Sequence, residues 1–217
     1  MKIIQTNLQY AKPLIPLNLN MVKYIILHHP DITTATVEEI HQWHLENGWS
    51  GFGYNEYIRK DGTVYIGRAD CIGAQCLNYN SVSYGICLEG NYDVEKEMPD
   101  AQFQSLLERI KYHQKRFPFQ TSIEVHSKFV DTTCAGTYFP INKLIGDVNK
   151  MNTITEKQVQ PIDKEFEDNL EILKSFNKIN TPQYWLDHCV EGGKIDGLYA
   201  KKILNEFADF IKSIPVS

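Results

Sequence analysis

The 217-residue sequence lacks three features that would place it in other broad classes of protein. It contains no run of about 18 or more apolar residues, so we expect no membrane-spanning helix. No run of Lys and Arg exceeds two residues and the formal net charge is -5, which argues against a nucleic-acid-binding surface. Residues 1–20 lack the apolar core and cleavage site of a secretory signal, so we expect a soluble protein made in the cytoplasm.

Cysteine is also scarce, with five residues at positions 71, 76, 87, 134 and 189. An odd number of scattered cysteines fits reduced thiols better than a disulfide framework. The rest of the composition is ordinary, because 42% of the residues are hydrophobic and 12% are aromatic. A chain of this length and composition is expected to form one medium domain with a buried core, plus a small appendage.

The first strand-like and helix-like patterns lie close together in the sequence. Val22–Leu27 is a short, β-branched, apolar run, and it predicts a buried strand that ends at His28 and His29. Thr36 and Glu39 have the spacing of a capping box, and the residues after them repeat at helical intervals as far as residue 47. A strand followed by a helix is therefore predicted.

A hairpin, a strand, a helix and a further strand follow. Residues 54–68 form two alternating runs around Asp61-Gly62, the pattern of a β-hairpin. Residues 82–88 predict another apolar strand, and residues 123–126 predict a short strand that also ends in histidine. Between them lies a long amphipathic helix that starts after Pro99-Asp100 and is stopped by Pro118. These elements predict an α/β fold for residues 1–150, with a mixed central sheet flanked by helices.

The remainder of the chain has a different character. Residues 151–162 are polar without strong periodicity and are interpreted as a linker, whereas residues 163–217 show only helical patterns. A helical domain of about 50 residues is marginally stable alone. We therefore expect this small all-helical domain to pack on the first domain, on a second copy of the chain or on another partner.

Two histidines and one cysteine form the most chemically suggestive pattern. His28 and His126 stand at predicted strand ends, and Cys134 follows His126 by eight residues. Two imidazoles and a thiolate suit Zn(II), and three protein ligands leave a fourth position for water, as in catalytic sites. A histidine near a strand end is also commonly only a hydrogen-bonded residue, so spacing alone leaves both interpretations open.

Four segments together resemble one known family, the N-acetylmuramoyl-L-alanine amidases of phage lysins, bacterial autolysins and peptidoglycan recognition proteins. The segments are IILHHP, EIHQWHLENGWSGFGYNEYIRKDGTVYIGR, SVSYGICLEGN and HSKFVDTTCAG. The resemblance covers roughly residues 20–145 and is closest to clostridial phage or prophage lysins. It implies the amidase fold and zinc-dependent hydrolysis of the amide between N-acetylmuramic acid and the L-alanine of the peptidoglycan stem peptide.

The same resemblance implies the residues of the site. One zinc ion per chain is expected on His28, His126 and Cys134. His29 is an alternative first ligand, because neighbouring strand residues point to opposite faces, although the family register favours His28. The leaving amine must be protonated, and Glu89 is a candidate donor, although support of the loop around it is the favoured role.

Four further residues are expected around the metal. The resemblance implies catalytic roles for Tyr54 and for Thr132, the second of which stands where phage lysins often carry lysine. Substrate contacts are expected from Trp49, as part of an aromatic wall, and from Gln75, where many relatives have histidine. Trp49 is equally compatible with closing the first helix onto the sheet.

Two other functions remain compatible with the sequence. A non-catalytic peptidoglycan-binding recognition module would keep the fold without chemistry, and a cysteine amidase would use Cys134 as nucleophile and His126 as base. The resemblance further suggests peptidoglycan as the partner and action on the cell wall after release through a holin-type opening. The helical tail is expected to bind the wall or to self-associate as a homodimer.

Overall fold

The structure is a computed structural model that describes residues 1–117, 121–158, 168–171 and 205, with backbone only for residues 151–158. Contacts within the chain divide it into two compact units, Met1–Lys150 and Met151–Ser217. Nearly all of the predicted helical domain, residues 163–217, lies outside the described residues, so its fold and role stay predictions. No helix in the described ranges combines the length and the apolar character needed to cross a membrane.

A six-stranded sheet forms the centre of the first unit. Its strands are β1 Ile3–Gln5, β2 Tyr24–His28, β3 Glu56–Ile58, β4 Val64–Ile66, β5 Ser83–Leu88 and β6 Ser122–Val125. Their order across the sheet is β1-β4-β3-β5-β2-β6. The β3–β4 hairpin pairs antiparallel, and the other described pairs are parallel. The predicted mixed sheet is confirmed.

Among the described residues, three α-helices accompany the sheet: α1 Val37–Glu46, α2 Asp100–Arg116 and α3 Ile141–Gln158. The predicted capping box of α1 is present: the Glu39 N–H donates to Thr36 Oγ1 over 3.2 Å, and the Thr36 N–H donates to the Glu39 carboxylate over 2.7 Å. The α3 helix continues through the first eight residues of the predicted linker, 151–162. These residues include Lys, Met, Glu and Gln, which favour helix.

A buried ionic cluster joins α2 to the sheet. The Glu56 carboxylate of β3 accepts hydrogen bonds from Arg109 Nε over 2.9 Å and from His113 Nε2 over 2.7 Å. The Tyr84 hydroxyl of β5 donates to the same carboxylate over 3.0 Å. The cluster fixes α2 against β3 and β5, so the helix cannot slide without exposing or unpairing a buried charge.

The parallel pairing decides where polar side chains meet. Strands β2, β5 and β6 run in the same direction side by side, so their carboxyl ends lie at one edge of the sheet. His28 is the last residue of β2, and His126 directly follows β6. The carboxyl edge of such a sheet is where ligands bind in many α/β proteins, and it carries the candidate site here.

Candidate metal centre

Three predicted ligands converge at the carboxyl edge of the sheet. One donor atom from each of His28, His126 and Cys134 lies within 4.8 Å of the other two. Cys134 Sγ is 3.6 Å from His28 Nδ1, and the two imidazole centroids are 4.5 Å apart. The histidines meet because β2 and β6 are neighbours, while Cys134 arrives on the loop that follows β6.

The protonation states of these groups suit a metal ion. Burial, together with the nearby charge of His126, lowers the pKa of His28 to about 3. Burial also lowers the pKa of His126, so both imidazoles are neutral at pH 7 and keep a lone pair. Burial raises the pKa of the Cys134 thiol to about 12. A divalent cation would stabilise the thiolate, and this donor set therefore fits Zn(II).

His29, the residue after His28, has different partners. His29 Nδ1 accepts the backbone N–H of Tyr92 over 3.1 Å, so the neutral ring carries its proton on Nε2. That nitrogen lies 3.9 Å from the carboxylate of Asp93. With both ring nitrogens directed away from Cys134 and His126, His29 does not join their cluster. The alternation of side chains along β2 explains why adjacent histidines have different surroundings.

A second group of His29, Asp31 and Asp93 also brings donor atoms within 4.8 Å of one another. These atoms already have partners within the protein. Asp93 accepts hydrogen bonds from the Thr133 hydroxyl over 2.6 Å and from the Thr137 N–H over 2.8 Å. The group therefore holds the loop that carries Cys134. Sequence reasoning missed Asp93, because no local pattern links it to threonines 40 or more residues away.

Gln75 lies behind His28. Its Oε1 is 2.5 Å from His28 Nε2, and its Nε2 donates to Ser83 Oγ over 2.8 Å. The side chain is buried and is not among those that line the adjacent cleft. Two glycines, Gly73 and Gly85, leave room for the amide beside β5. The contact of Gln75 with substrate stays a prediction.

A cleft of about 340 Å³ opens beside the cluster. Its lining includes two tryptophans, a tyrosine and the loop before the cysteine: Trp43, Trp49, Tyr54, Thr132, Thr133 and Cys134. Trp49, one of the predicted substrate contacts, is 55% exposed and its ring lies 5.0 Å from that of His44. Trp43 was not predicted, although it stands on the same helix-to-hairpin segment. The cleft thus joins an aromatic wall to Cys134, one of the three candidate ligands.

Tyr54 and Thr132 both line this cleft. The Tyr54 ring lies 5.0 Å from that of His28, and its hydroxyl is hydrogen-bonded to the Cys87 thiol. Burial raises the pKa of Tyr54 well above its usual range, so the phenol keeps its proton. Thr132 Oγ1 accepts the Cys134 N–H over 3.3 Å, and its own hydroxyl hydrogen is not used in that bond. Both groups can act as neutral hydrogen-bond donors.

Glu89 is unsuitable as a proton donor. Burial alone would raise its pKa, but hydrogen bonds from Arg59, the Lys60 N–H and Thr34 lower the pKa to about 2. Arg59 binds the carboxylate with Nε at 3.0 Å and Nη2 at 2.9 Å. The side chain is therefore an ionised support for the loop after β5.

Comparisons with known proteins agree with this geometry. A family model described as N-acetylmuramoyl-L-alanine amidase matches residues 18–137. The endolysin of Klebsiella phage KP32 is 47% identical over 83 residues, which cover 36% of this chain and 54% of that protein. Peptidoglycan-recognition protein SC1a of Drosophila melanogaster is 30% identical over 132 residues, 55% of this chain and 70% of that protein. The chain thus spans about half the length of the phage endolysins it matches.

A solved structure extends the similarity to the fold. N-acetylmuramoyl-L-alanine amidase LysC from Clostridium intestinale URNW superimposes with a TM-score of 0.63 and 31% identity. The superposition covers 69% of this chain and 98% of that one. The family match extends over more than half of the sequence and includes the strand, helix, hairpin and loop that surround the cluster. The chain belongs to the N-acetylmuramoyl-L-alanine amidase family.

Proposed function

We propose that this chain is a zinc-dependent peptidoglycan hydrolase that cleaves the amide between N-acetylmuramic acid and the L-alanine of the stem peptide. The observation that carries the proposal is the convergence of His28, His126 and Cys134 beside an open cleft, in a member of the amidase family. A phage or prophage endolysin, or an autolysin, is the role that this activity and the phage relatives support.

One zinc ion per chain would be held by His28 Nδ1, by His126 and by Cys134 Sγ. When bound, zinc supplies a Lewis acid for the scissile carbonyl and lowers the pKa of its water from about 15.7 toward roughly 7. The protein's part is to keep both imidazoles neutral by burial and to bring the thiol within 3.6 Å of the first histidine.

Tyr54 and Thr132 would stabilise charge that develops on the scissile amide. Tyr54 keeps its phenol proton and can donate it in a hydrogen bond to the attacking water or the carbonyl oxygen. Thr132 lies in the cleft with a hydroxyl hydrogen available to the same oxygen. Preorganised donors of this kind stabilise an oxyanion without reorganisation during the reaction.

The cleft would bind the sugar and the start of the stem peptide. Trp43 and Trp49 are partly exposed and provide apolar faces on which a saccharide ring or a peptide can pack. Cell-wall binding or self-association through residues 163–217 completes the proposal. We further propose that the protein reaches the wall through a holin-type opening in the membrane.

The decisive experiment combines metal content with product identification. Purified full-length protein is expected to contain about one zinc per chain, and digestion of peptidoglycan should release new amino termini that are L-alanine. His126→Ala and Cys134→Ser should lose both zinc and wall lysis, whereas Cys71→Ser, a cysteine outside the cluster, should keep both. Lysis retained by either ligand variant would refute the assignment.

The same purified protein can be used to distinguish the two rival functions. A cysteine nucleophile requires a thiolate paired with a histidine cation, but burial raises the pKa of Cys134 and lowers those of His28 and His126. We expect a chelator to abolish activity and added zinc to restore it; activity unaffected by chelation would favour the thiol mechanism. A binding module would retain peptidoglycan but release no dye from labelled walls.

A further inference from the structure

A buried chain of hydrogen bonds extends behind His28, on the side opposite the cleft. His28 Nε2 lies 2.5 Å from Gln75 Oε1, and Gln75 Nε2 donates to Ser83 Oγ over 2.8 Å. The Ser83 hydroxyl donates to the backbone carbonyl of Tyr79, also over 2.8 Å. The three side chains are between 0% and 8% exposed, so bulk water does not compete for these bonds.

The donor and acceptor roles in this series of hydrogen bonds are fixed by Ser83, at its far end. A serine hydroxyl has one hydrogen, and that of Ser83 is donated to Tyr79. Ser83 can therefore only accept from Gln75, which places the amide NH₂ toward Ser83 and the carbonyl toward His28. Since Gln75 Oε1 accepts, His28 Nε2 must carry the ring proton, and Nδ1 keeps the lone pair that faces Cys134.

The pocket for the amide is closely fitted. A Cβ atom on Gly85 would lie 2.7 Å from Gln75 Cγ, and one on Gly73 would lie 3.0 Å from it. Asn80 Oδ1 accepts the backbone N–H of Gln75 over 2.9 Å, which fixes the segment from the main chain as well. Neither the backbone nor the side chain of Gln75 can shift freely.

We propose that Gln75 is a positioning residue for the metal. Through Ser83 it holds His28 as the Nε2–H tautomer and directs Nδ1 toward the position shared with His126 and Cys134. Groups that fix the tautomer and orientation of a ligand histidine typically change metal affinity about 10- to 100-fold when removed. The inference rests on the proposed zinc site, but it concerns how the residues of this protein prepare one of the ligands.

The test measures zinc affinity of the full-length chain by competition with a chromophoric chelator. Gln75→Leu should weaken zinc binding about 10- to 100-fold, and Ser83→Ala should weaken it less, because the amide remains but can rotate. The double variant should bind no more weakly than Gln75→Leu, since both act through one hydrogen-bond chain. Gln104→Leu, an exposed glutamine on α2, is the matched control and should bind zinc as the wild type does.

Two further measurements keep the proposal testable if Gln75→Leu folds poorly. Gln75→Glu keeps an acceptor for His28 and should retain the wild-type zinc affinity. Ring ¹⁵N spectra of the zinc-free wild type should show His28 protonated on Nε2, and Ser83→Ala should show a mixture of tautomers.

A folded Gln75→Leu with wild-type zinc affinity, or a wild-type His28 protonated on Nδ1, would overturn the proposal. These readouts do not depend on catalysis. A protein that binds zinc as described but cleaves no amide would refute the proposed activity and leave this inference standing.

Discussion

At the scale of single residues, the proposed site is expected to use hydroxyl groups that stay neutral. Tyr54 is half-buried, and its hydroxyl is hydrogen-bonded to the Cys87 thiol. Its ring lies next to those of His28 and His44. Burial and the nearby thiols of Cys87 and Cys134 disfavour a phenolate, so the group can donate a hydrogen bond but cannot act as a base near pH 7. Its contribution is therefore expected in the transition state rather than in metal binding.

Tyr54→Phe tests this role with almost no change in shape. We expect the zinc content to be unchanged and kcat to fall about 100-fold or more, because one positioned donor is lost while the ligands are untouched. Metal analysis and turnover of a soluble muropeptide check the two halves of the prediction. Loss of zinc in this variant would mean that the tyrosine supports the metal instead.

Thr132→Val removes a hydroxyl and keeps the branched shape. We expect kcat to fall about 10-fold or more, with a smaller change in KM, because the donor is needed most when charge develops on the carbonyl oxygen. Thr132→Ser is the matched control and should retain most of the activity. Equal losses in the valine and serine variants would show that the methyl group, rather than the hydroxyl, is important.

At the scale of secondary-structure elements, the attachment of α2 to the sheet depends on buried charge. Burial alone would raise the pKa of Glu56, but hydrogen bonds from His113 and Arg109 lower it to about 2. The folded-state pKa therefore lies below the unfolded value of 4.5. The resulting stabilisation is present above about pH 4.5 and is lost as the pH falls toward about 2.

Glu56→Gln is expected to lower the free energy of unfolding at pH 7 by about 3 kcal/mol, because Arg109 stays buried without its carboxylate. Urea unfolding at several pH values should show this difference shrink between about pH 5 and pH 2, where the wild-type carboxylate becomes protonated. Glu108→Gln, on the exposed side of α2, should follow the wild-type curve throughout. A difference independent of pH would contradict the ionic explanation.

At the scale of the whole molecule, the proposed chemistry is confined to one compact unit. The three candidate ligands, Tyr54, Thr132 and the cleft tryptophans all lie within Met1–Lys150. Residues 163–217 are predicted to serve attachment to the wall or to a second copy of the chain. The two units are therefore expected to contribute different parts of the overall activity.

A chain that ends at Gln158 separates these contributions. We expect it to bind zinc and to cleave a soluble muropeptide with unchanged kcat/KM, since the cleft and its ligands remain. Its rate on intact cell walls should fall, and light scattering together with wall retention would show whether attachment or self-association was lost. Full activity on walls would refute both proposed roles of the tail.

Much of the fold could be predicted because local patterns specify it. Thr36 and Glu39, three residues apart, predicted the start of α1. Asp61-Gly62 predicted the β3–β4 turn, where Gly62 adopts a φ of 82°. Strand β1, Ile3–Gln5, was not predicted, because three residues at a sheet edge carry too little periodicity. The helical course of residues 151–158 was missed because this segment, taken by itself, is polar and too short to show a strong periodicity.

From the sequence by itself the mixed sheet could be predicted from local patterns, and the candidate ligands and the family from the ordered segments that carry the family resemblance. Only the tertiary structure separated His28 from His29, placed Gln75 behind a ligand and revealed Asp93 beneath the cysteine loop. These outcomes depend on which atoms of distant segments come within hydrogen-bonding distance. Such contacts join residues that are 40 or more positions apart in the sequence. They follow from the packing of strands and loops, which cannot be predicted from a local sequence pattern.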